Sequence, residues 1–268
     1  MEYWKWLEMV VLALIMLEGG WRTEGCLEEE RLALFQLKPF FPSIDSRIDG
    51  SRLEYYLYPI EEKETSSDCC EWEKVECSSI TGRVTHLFLN LTYIVTYDDL
   101  VYDDLVYSEY RRIGNNKYWY LNTSLFLPFE ELQSLFLSGN SIVGFVDNQG
   151  LKRLSKLKNV EILDLSHHNY IGNNSSQLND FRSLKSLRLQ DCGLVGSIDM
   201  REFNSFINLK ELHLGSNQIK SLGFSFYDKE PLWLNKLEVL GLSDNLLNSS
   251  VFSSLAPLSN LKSLHLSR

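Results

Sequence analysis

Leu132-Gln-Ser-Leu135-Phe-Leu137-Ser-Gly-Asn140 reads L-x-x-L-x-L-x-x-N, and that frame returns along the second half of the chain. It recurs at Val160–Leu163–Leu165–His168, Leu184–Leu187–Leu189–Cys192, Leu209–Leu212–Leu214–Asn217 and Leu237–Leu240–Leu242–Asn245, and opens again at Leu261–Leu264–Leu266. Successive starts are 28, 24, 25, 28 and 24 residues apart. An internal repeat of roughly 20–29 residues with this spacing is the signature of a leucine-rich solenoid. An array of amphipathic helices would need a period of 3.6 and would not hold one polar residue at a fixed offset.

The physical logic follows from the spacing. L-x-L is a short strand of period 2, so both leucines face one way. A single strand cannot bury that face alone, whereas stacked neighbours bury a continuous strip. The ninth position points inward and must pair backbone N–H and C=O groups that the turn would otherwise bury bare. Asn140, Asn217 and Asn245 suit that duty, and Cys192 is admitted by the repeat signature. His168 is the irregular rung; it is followed by Asn169, and either a local distortion or a ladder carried by His168 itself is expected. An earlier strand is visible at Val84–Leu87–Leu89, 48 residues before Leu132, which leaves room for one degenerate repeat or one long insertion.

The N-terminus reads as a secretory signal. Lys5 precedes the apolar run Met9–Leu17, which falls short of the ~20 residues a membrane span needs. Glu8 and Glu18 flank the run, and cleavage is expected between Gly19 and Gly25. No later stretch is long and apolar enough to span a bilayer. The sequence stops at Arg268 inside the sixth unit, which reads as a truncated product or fragment.

Lys and Arg number 26 against 36 Asp and Glu, a net charge of −10, which argues against nucleic acid or an anionic membrane surface as general partners. Five cysteines are present. Behind a signal peptide, Cys26, Cys69, Cys70 and Cys77 read as two disulfides with three possible pairings. A vicinal Cys69–Cys70 bridge is disfavoured by strain, and the spacing lacks the paired C-x-x-C form of a zinc site. Cys192, on the inward rung, reads as a free buried thiol. Sequons at Asn90, Asn122, Asn173, Asn174 and Asn248 are candidate glycan sites.

The cap and its lead-in carry a family resemblance. Cys26-Leu-Glu-Glu-Glu-Arg-Leu-Ala-Leu-Phe-Gln-Leu-Lys38 resembles the opening of the plant leucine-rich repeat N-terminal domain. Asp68-Cys-Cys-Glu-Trp72-Glu-Lys-Val75-Glu-Cys77 resembles its D-C-C-x-W-x-G-V-x-C signature, with Lys74 where the family has Gly. Thr81-Gly-Arg-Val84 matches the usual approach to the first strand. Leu194-Val-Gly196-Ser-Ile198 and, more loosely, Ile142-Val-Gly144-Phe-Val146 resemble the plant-type L-x-G-x-I-P extension without its Pro. The resemblance points to plant receptor-like proteins, whose repeat ectodomain is followed by a membrane helix and a short tail without a kinase. It implies the pairs Cys26–Cys69 and Cys70–Cys77.

The expected fold is therefore an α/β solenoid, a leucine-rich repeat superhelix with a parallel concave sheet and a disulfide-bonded N-terminal cap. Its parts are a signal peptide (1–25), a cap (26–83) and six to seven repeats (84–268), with an irregular insertion at 90–121. In the cap, Leu27, Leu34, Phe35 and Leu37 give a helix an apolar face, Glu28–Glu30 suit its positive end, and Pro39 and Pro42 end it. Within the insertion, Tyr97-Asp-Asp-Leu-Val101 is repeated as Tyr102-Asp-Asp-Leu-Val106. That reads as a tolerated insertion or as a projecting acidic, aromatic loop for a partner; the Asp pairs lack calcium-loop spacing.

No catalytic constellation, metal set or cofactor motif is found. His86, His213 and His265 read as sharing the outward position between strand leucines, with His167 and His168 apart. The outward column Phe136, Asp164, Arg188, His213, Gly241, His265 varies in size and charge while the core leucines recur. Beside it lie Ser134, Glu161, Lys185, Gln190, Lys210, Glu211, Glu238 and Lys262. Such a column suits a rigid surface whose side chains select a peptide, protein or glycan ligand. The resemblance implies an extracellular or plasma-membrane recognition module in immune or developmental signalling, working with a co-receptor kinase. A rival is a secreted inhibitor of a cell-wall hydrolase, resembling the polygalacturonase-inhibiting proteins.

Overall fold

A computed structural model describes residues 25–38, 68–90, 119–140, 142–147, 150–168, 181–223, 234–249 and 251–267, together with the backbone of 43–49 and 52–58. The signal segment, the tyrosine-rich duplication and the sequons Asn173 and Asn174 lie outside the described residues.

Each L-x-L becomes a three-residue strand of one parallel sheet: β6 (Ser134–Phe136), β8 (Ile162–Asp164), β9 (Ser186–Arg188), β11 (Glu211–His213), β13 (Val239–Gly241) and β14 (Ser263–His265). The register matches frame to frame, so Leu135, Leu163, Leu187, Leu212, Leu240 and Leu264 stand in one row. β4 (Val84–Phe88) pairs directly with β6, so the two frames 48 residues apart are neighbours in this sheet. β3 (Val75–Cys77) closes the sheet antiparallel to β4, an element the sequence pattern does not announce. Elsewhere β1 (Ser43–Asp49) and β2 (Arg52–Tyr58) form an antiparallel hairpin.

Opposite the sheet, a second buried row lies three residues before each frame: Phe129, Leu157, Phe181, Phe206, Leu234 and Leu258. Short outer pairs also form. β5 (Trp119–Leu121) runs parallel to β7 (Ile142–Phe145), and β10 (Val195–Asp199) parallel to β12 (Gln218–Gly223), so the plant-type extension makes a second strand even without its Pro.

The inward rungs hold adjacent coils together. Asn217 Nδ2 donates to Leu189 O at 2.9 Å and Leu214 O at 3.0 Å, while its Oδ1 accepts from Cys192 N and Leu194 N. Asn245 donates to Leu214 O and Leu242 O and accepts from Ile219 N; Asn140 donates to Leu89 O and Leu137 O. His168 occupies its rung with Nε2 2.8 Å from Leu137 O, and the Cys192 thiol donates to Leu165 O. Burial pushes the Cys192 thiol up to about 12, so it stays protonated and acts as a donor. The residue before each rung takes a left-handed backbone: Gly139, His167, Asp191, Ser216 and Asp244. That twist turns the rung inward, at a cost Gly139 alone avoids. A second set of side-chain bonds crosses the opposite flank, from Asn159 to Glu130 O, Ser183 to Val160 O, Asn208 to Arg182 O and Asn260 to Asn235 O.

The cap covers the first coil through α1 (Glu28–Leu37). Ala33, Leu34 and Leu37 are buried. Phe35, read from sequence as part of the apolar face, is 37% exposed and lies at its edge against Trp72. Residue 35 sits one position round the helix from Leu34, and Ala33 takes the inner place. Glu30 is fully buried: its carboxylate accepts from Val84 N at 3.2 Å, from Leu27 N at 3.3 Å and from Arg83 Nε at 3.4 Å. Disulfides Cys26–Cys69 and Cys70–Cys77 tie the same region, with the pairing the resemblance implies. Lys74, where the family has Gly, adopts a φ of 71° and lets Nζ reach Asn90 O at 3.4 Å.

Two expected outcomes follow for stability. Burial lowers the His168 pKa from 6.5 to about 4, so the folded protein resists a proton that the unfolded chain accepts. The rung's contribution is complete above pH 6.5 and falls away towards pH 4, by about 3 kcal/mol. In urea melts from pH 7 to 4, His168→Asn should lose less stability than the wild type; parallel pH curves would contradict the assignment. Glu30→Ala should cost about 3 kcal/mol, because it strands Val84 N and leaves Arg83 without a buried partner. Trp72 fluorescence during urea unfolding reads that loss, and a change under about 1 kcal/mol would contradict the role of Glu30 as the buried partner of Val84 N and Arg83.

Candidate functional site on the sheet face

Because successive strand residues alternate between faces, the residue between the two leucines is presented outward on every coil. Strand pairing brings these residues into one row at the ~4.8 Å spacing of neighbouring strands. The row runs Phe88, Phe136, Asp164, Arg188, His213, Gly241, His265. The structure thus joins Phe136, Asp164, Arg188 and His213 on adjacent strands, while Gly241 separates His265 from them.

One sequence expectation is corrected. His86 does not share the position of His213 and His265. It pairs with Ser134, one residue before the inward leucine, and Phe88 holds the outward place. Counting from Val84 assigns this directly, because Phe88 lies between Leu87 and Leu89. Its proper neighbours form an aromatic cluster. The His86 ring is within 9° of parallel to Phe88 at 6.3 Å, and Phe88 is stacked on Phe136 at 5.2 Å. Ser134, grouped from sequence with the outward flank, is only 2% exposed; the sheet covers it.

The charged middle of the row is organised around Asp164. It is 8% exposed, and its Oδ1 accepts from Ser166 N at 3.0 Å. Arg188 reaches back across it: Nη1 lies 3.9 Å from Asp164 Oδ2, and Cζ sits 5.9 Å from the Phe136 ring centre. The far face of Phe136 is therefore occupied by a cation and the near face by Phe88. On the next strand Glu211 Oε2 accepts from Ser186 Oγ at 3.0 Å and lies 3.7 Å from His213 Nε2. Burial and the Arg188 charge lower the His213 pKa against the pull of Glu211. A side-chain carbon at Gly241 would come within 3.1 Å of His213 Nδ1, so the glycine makes room for the tilted imidazole. Along the flank, Lys185 is paired with Glu161 and Lys262 with Glu238, each at 2.7 Å, while Lys210 and Gln190 are exposed.

This is a surface of mixed aromatic, charged and polar groups on a stiff support. Among the described residues no group of His, Cys, Asp and Glu converges as a metal site, and no helix is long and apolar enough to cross a membrane. A recess lined by Leu242, Leu247, Val251, Phe252 and Leu266 belongs to the stacking edge of the last described coil. The other sequence-derived positions lie away from the row. Asn90 and Asn122 are half-buried, and Asn122 Oδ1 caps the following turn by accepting from Ser124 N at 3.2 Å; Asn248 is exposed.

Removing the Arg188 charge should raise the His213 pKa. In NMR titrations of the imidazole protons, Arg188→Gln is expected to move the His213 midpoint upward, whereas Lys262→Gln leaves it in place. An unmoved midpoint would mean that the two side chains do not share a field.

No protein-family model matches the chain. Curated relatives do. The chain is 32% identical over 270 residues to receptor-like protein 13 of Arabidopsis thaliana, covering 98% of this chain and 22% of that one. It is 32% identical over 259 residues to Cuscuta receptor 1 of Solanum lycopersicum, covering 91% and 20%. The chain thus spans about a fifth of the length of these relatives. Among solved structures, the ectodomain of the Arabidopsis thaliana membrane receptor kinase GASSHO1/SCHENGEN3, in complex with Casparian strip integrity factor 2, superposes with a TM-score of 0.51. It is 21% identical and covers 88% of this chain and 23% of that one, which supports the shared repeat fold.

Proposed function

For a chain whose homologues are plant receptor-like proteins and whose fold is a leucine-rich repeat solenoid, we propose a non-catalytic role as an extracellular recognition module. Its ligand contacts are made by the outward row from Phe88 to His265. The observation that supports this most is the contrast along each strand. The inward positions repeat leucine, whereas the outward row changes from aromatic to acidic, basic and bare backbone in neighbouring strands. A solvated face has no need of half-exposed phenylalanines stacked beneath a guanidinium, while a recognition surface does.

In this reading the cap, the rungs and the disulfides hold the row rigid, so binding costs little ordering entropy. The ligand is a peptide, protein or glycan outside the cell. The signal, immune or developmental, passes to a co-receptor kinase supplied by another chain. A secreted inhibitor of a cell-wall hydrolase would use the same face and differ in having no membrane anchor.

Phe136→Asn provides the test, since with Leu137 and Ser138 it completes a sequon in the middle of the row. Extracellular fluid from source tissue is fractionated, and fractions retained by the wild-type chain are compared on the glycosylated variant. Loss of at least about tenfold in affinity, with an unchanged circular dichroism spectrum, is the expected result. Equal retention by both chains would move recognition off this face.

A further inference from the structure

Arg188 stands apart from its neighbours in how little of its hydrogen-bonding capacity is used. Its guanidinium offers five donors in a planar fork, yet it donates no hydrogen bond among the described residues. The nearest acid, Asp164, is 3.9 Å away and has one oxygen engaged by Ser166 N. The acid on the other side, Glu211, is committed to Ser186 and turned towards His213. Lys185 and Lys262 on the same face are each held by a glutamate at 2.7 Å. Lys210 also lacks a hydrogen bond among the described residues, but it is exposed and has no ring or buried acid to fix its direction.

The posture of Arg188 is nevertheless fixed. Asp164 attracts it from below, and the Phe136 ring lies 5.9 Å from Cζ. Its side chain keeps 39% of its exposure, so the donors that face away from the ring remain open. The adjoining rings are packed together. Phe88 and Phe136 are parallel within 9° with their centres 5.2 Å apart, and both rings are half-buried. The guanidinium fork and the two half-buried rings therefore lie together on the outward face of β4, β6 and β9.

We propose that Arg188 is the anchor of this face for a carboxylate carried by a polypeptide ligand, with the Phe88 and Phe136 rings bordering the same seat. This deepens the reading of the row as the ligand face and rests on it. A bidentate carboxylate fits the planar fork, and the pre-set posture reduces the entropy lost per bond. A polyanion is disfavoured, because the chain carries a net charge of −10 and Asp164 and Glu211 stand on the strands either side of Arg188. A single carboxylate set among neutral atoms takes the open donors of Arg188 and brings no further charge towards those acids. A neutral sugar is less suited, since it brings no charge for the guanidinium fork to pair.

The test uses a random dodecapeptide display library selected against the secreted, glycosylated chain. Enriched peptides should carry Asp or Glu, and replacing that residue with its amide should weaken binding at least about 30-fold. Arg188→Gln should abolish the same increment, Arg188→Lys should restore only part of it, and Lys185→Gln should change affinity less than about threefold. Melting curves confirm that each variant is folded. Peptides that lose binding to the Phe136→Asn chain but ignore Arg188→Gln would overturn the anchor and leave the face reading intact. Peptides indifferent to both variants would overturn both, and a selection that enriches no acidic peptide would overturn the anchor.

Discussion

A solenoid of short strands turns its backbone through a dry interior once per coil, and the polar groups of that turn must find partners there. The whole molecule depends on this requirement. Leucines fill the strip, but any apolar side chain of similar size would do so. Asn217 is different: one amide donates to two carbonyls on successive coils and accepts from two N–H groups. Each rung fixes the spacing and register of its neighbours, and the row of outward side chains inherits that regularity. His168 and the Cys192 thiol reach the same carbonyls with different chemistry. Neither has an amide oxygen with which to repeat the accepting half of the bond.

The ends and edges meet the same constraint by other means. At the first coil the buried Glu30 carboxylate accepts from Val84 N, where in later coils a backbone carbonyl three residues back meets the same N–H, as Phe129 O meets Leu132 N and Phe206 O meets Leu209 N. The disulfides tie the segment that carries it, and β3 pairs the exposed edge of β4. Recognition surfaces gain from this arrangement because their side chains need not be ordered on binding. Arg188 illustrates the point: it is placed by the Phe136 ring and by Asp164, both on strands the rungs hold in step.

The repeat frame made the sheet legible from sequence, because leucines and a polar residue at one fixed offset suit stacked coils and do not suit helices of period 3.6. The resemblance of the cap supplied the disulfide pairing. Three features escaped for physical reasons. The left-handed residues before the rungs, among them His167, Ser216 and Asp244, share a backbone angle and no side-chain chemistry. Glu30 looks like one of three helix-end acids, and its burial is decided by Arg83 and Val84, 53 and 54 residues away. The flank set of Asn159, Asn208 and Asn260 is regular, but it sits outside the leucine frame that draws attention. The histidine misassignment came from grouping by residue type, where position in the strand decides. In the site, the row itself was legible, whereas the stacking of Phe88 and the unspent donors of Arg188 required side-chain positions.

Hydroxyl-radical footprinting of the chain, alone and with the fraction it retains from extracellular fluid, tests the central claim most directly. Phe88, Phe136 and His213 should be protected on binding, while Leu246 and Phe252, both exposed and off the row, keep their reactivity. Protection confined to Leu246 and Phe252, with the row unchanged, would contradict the account.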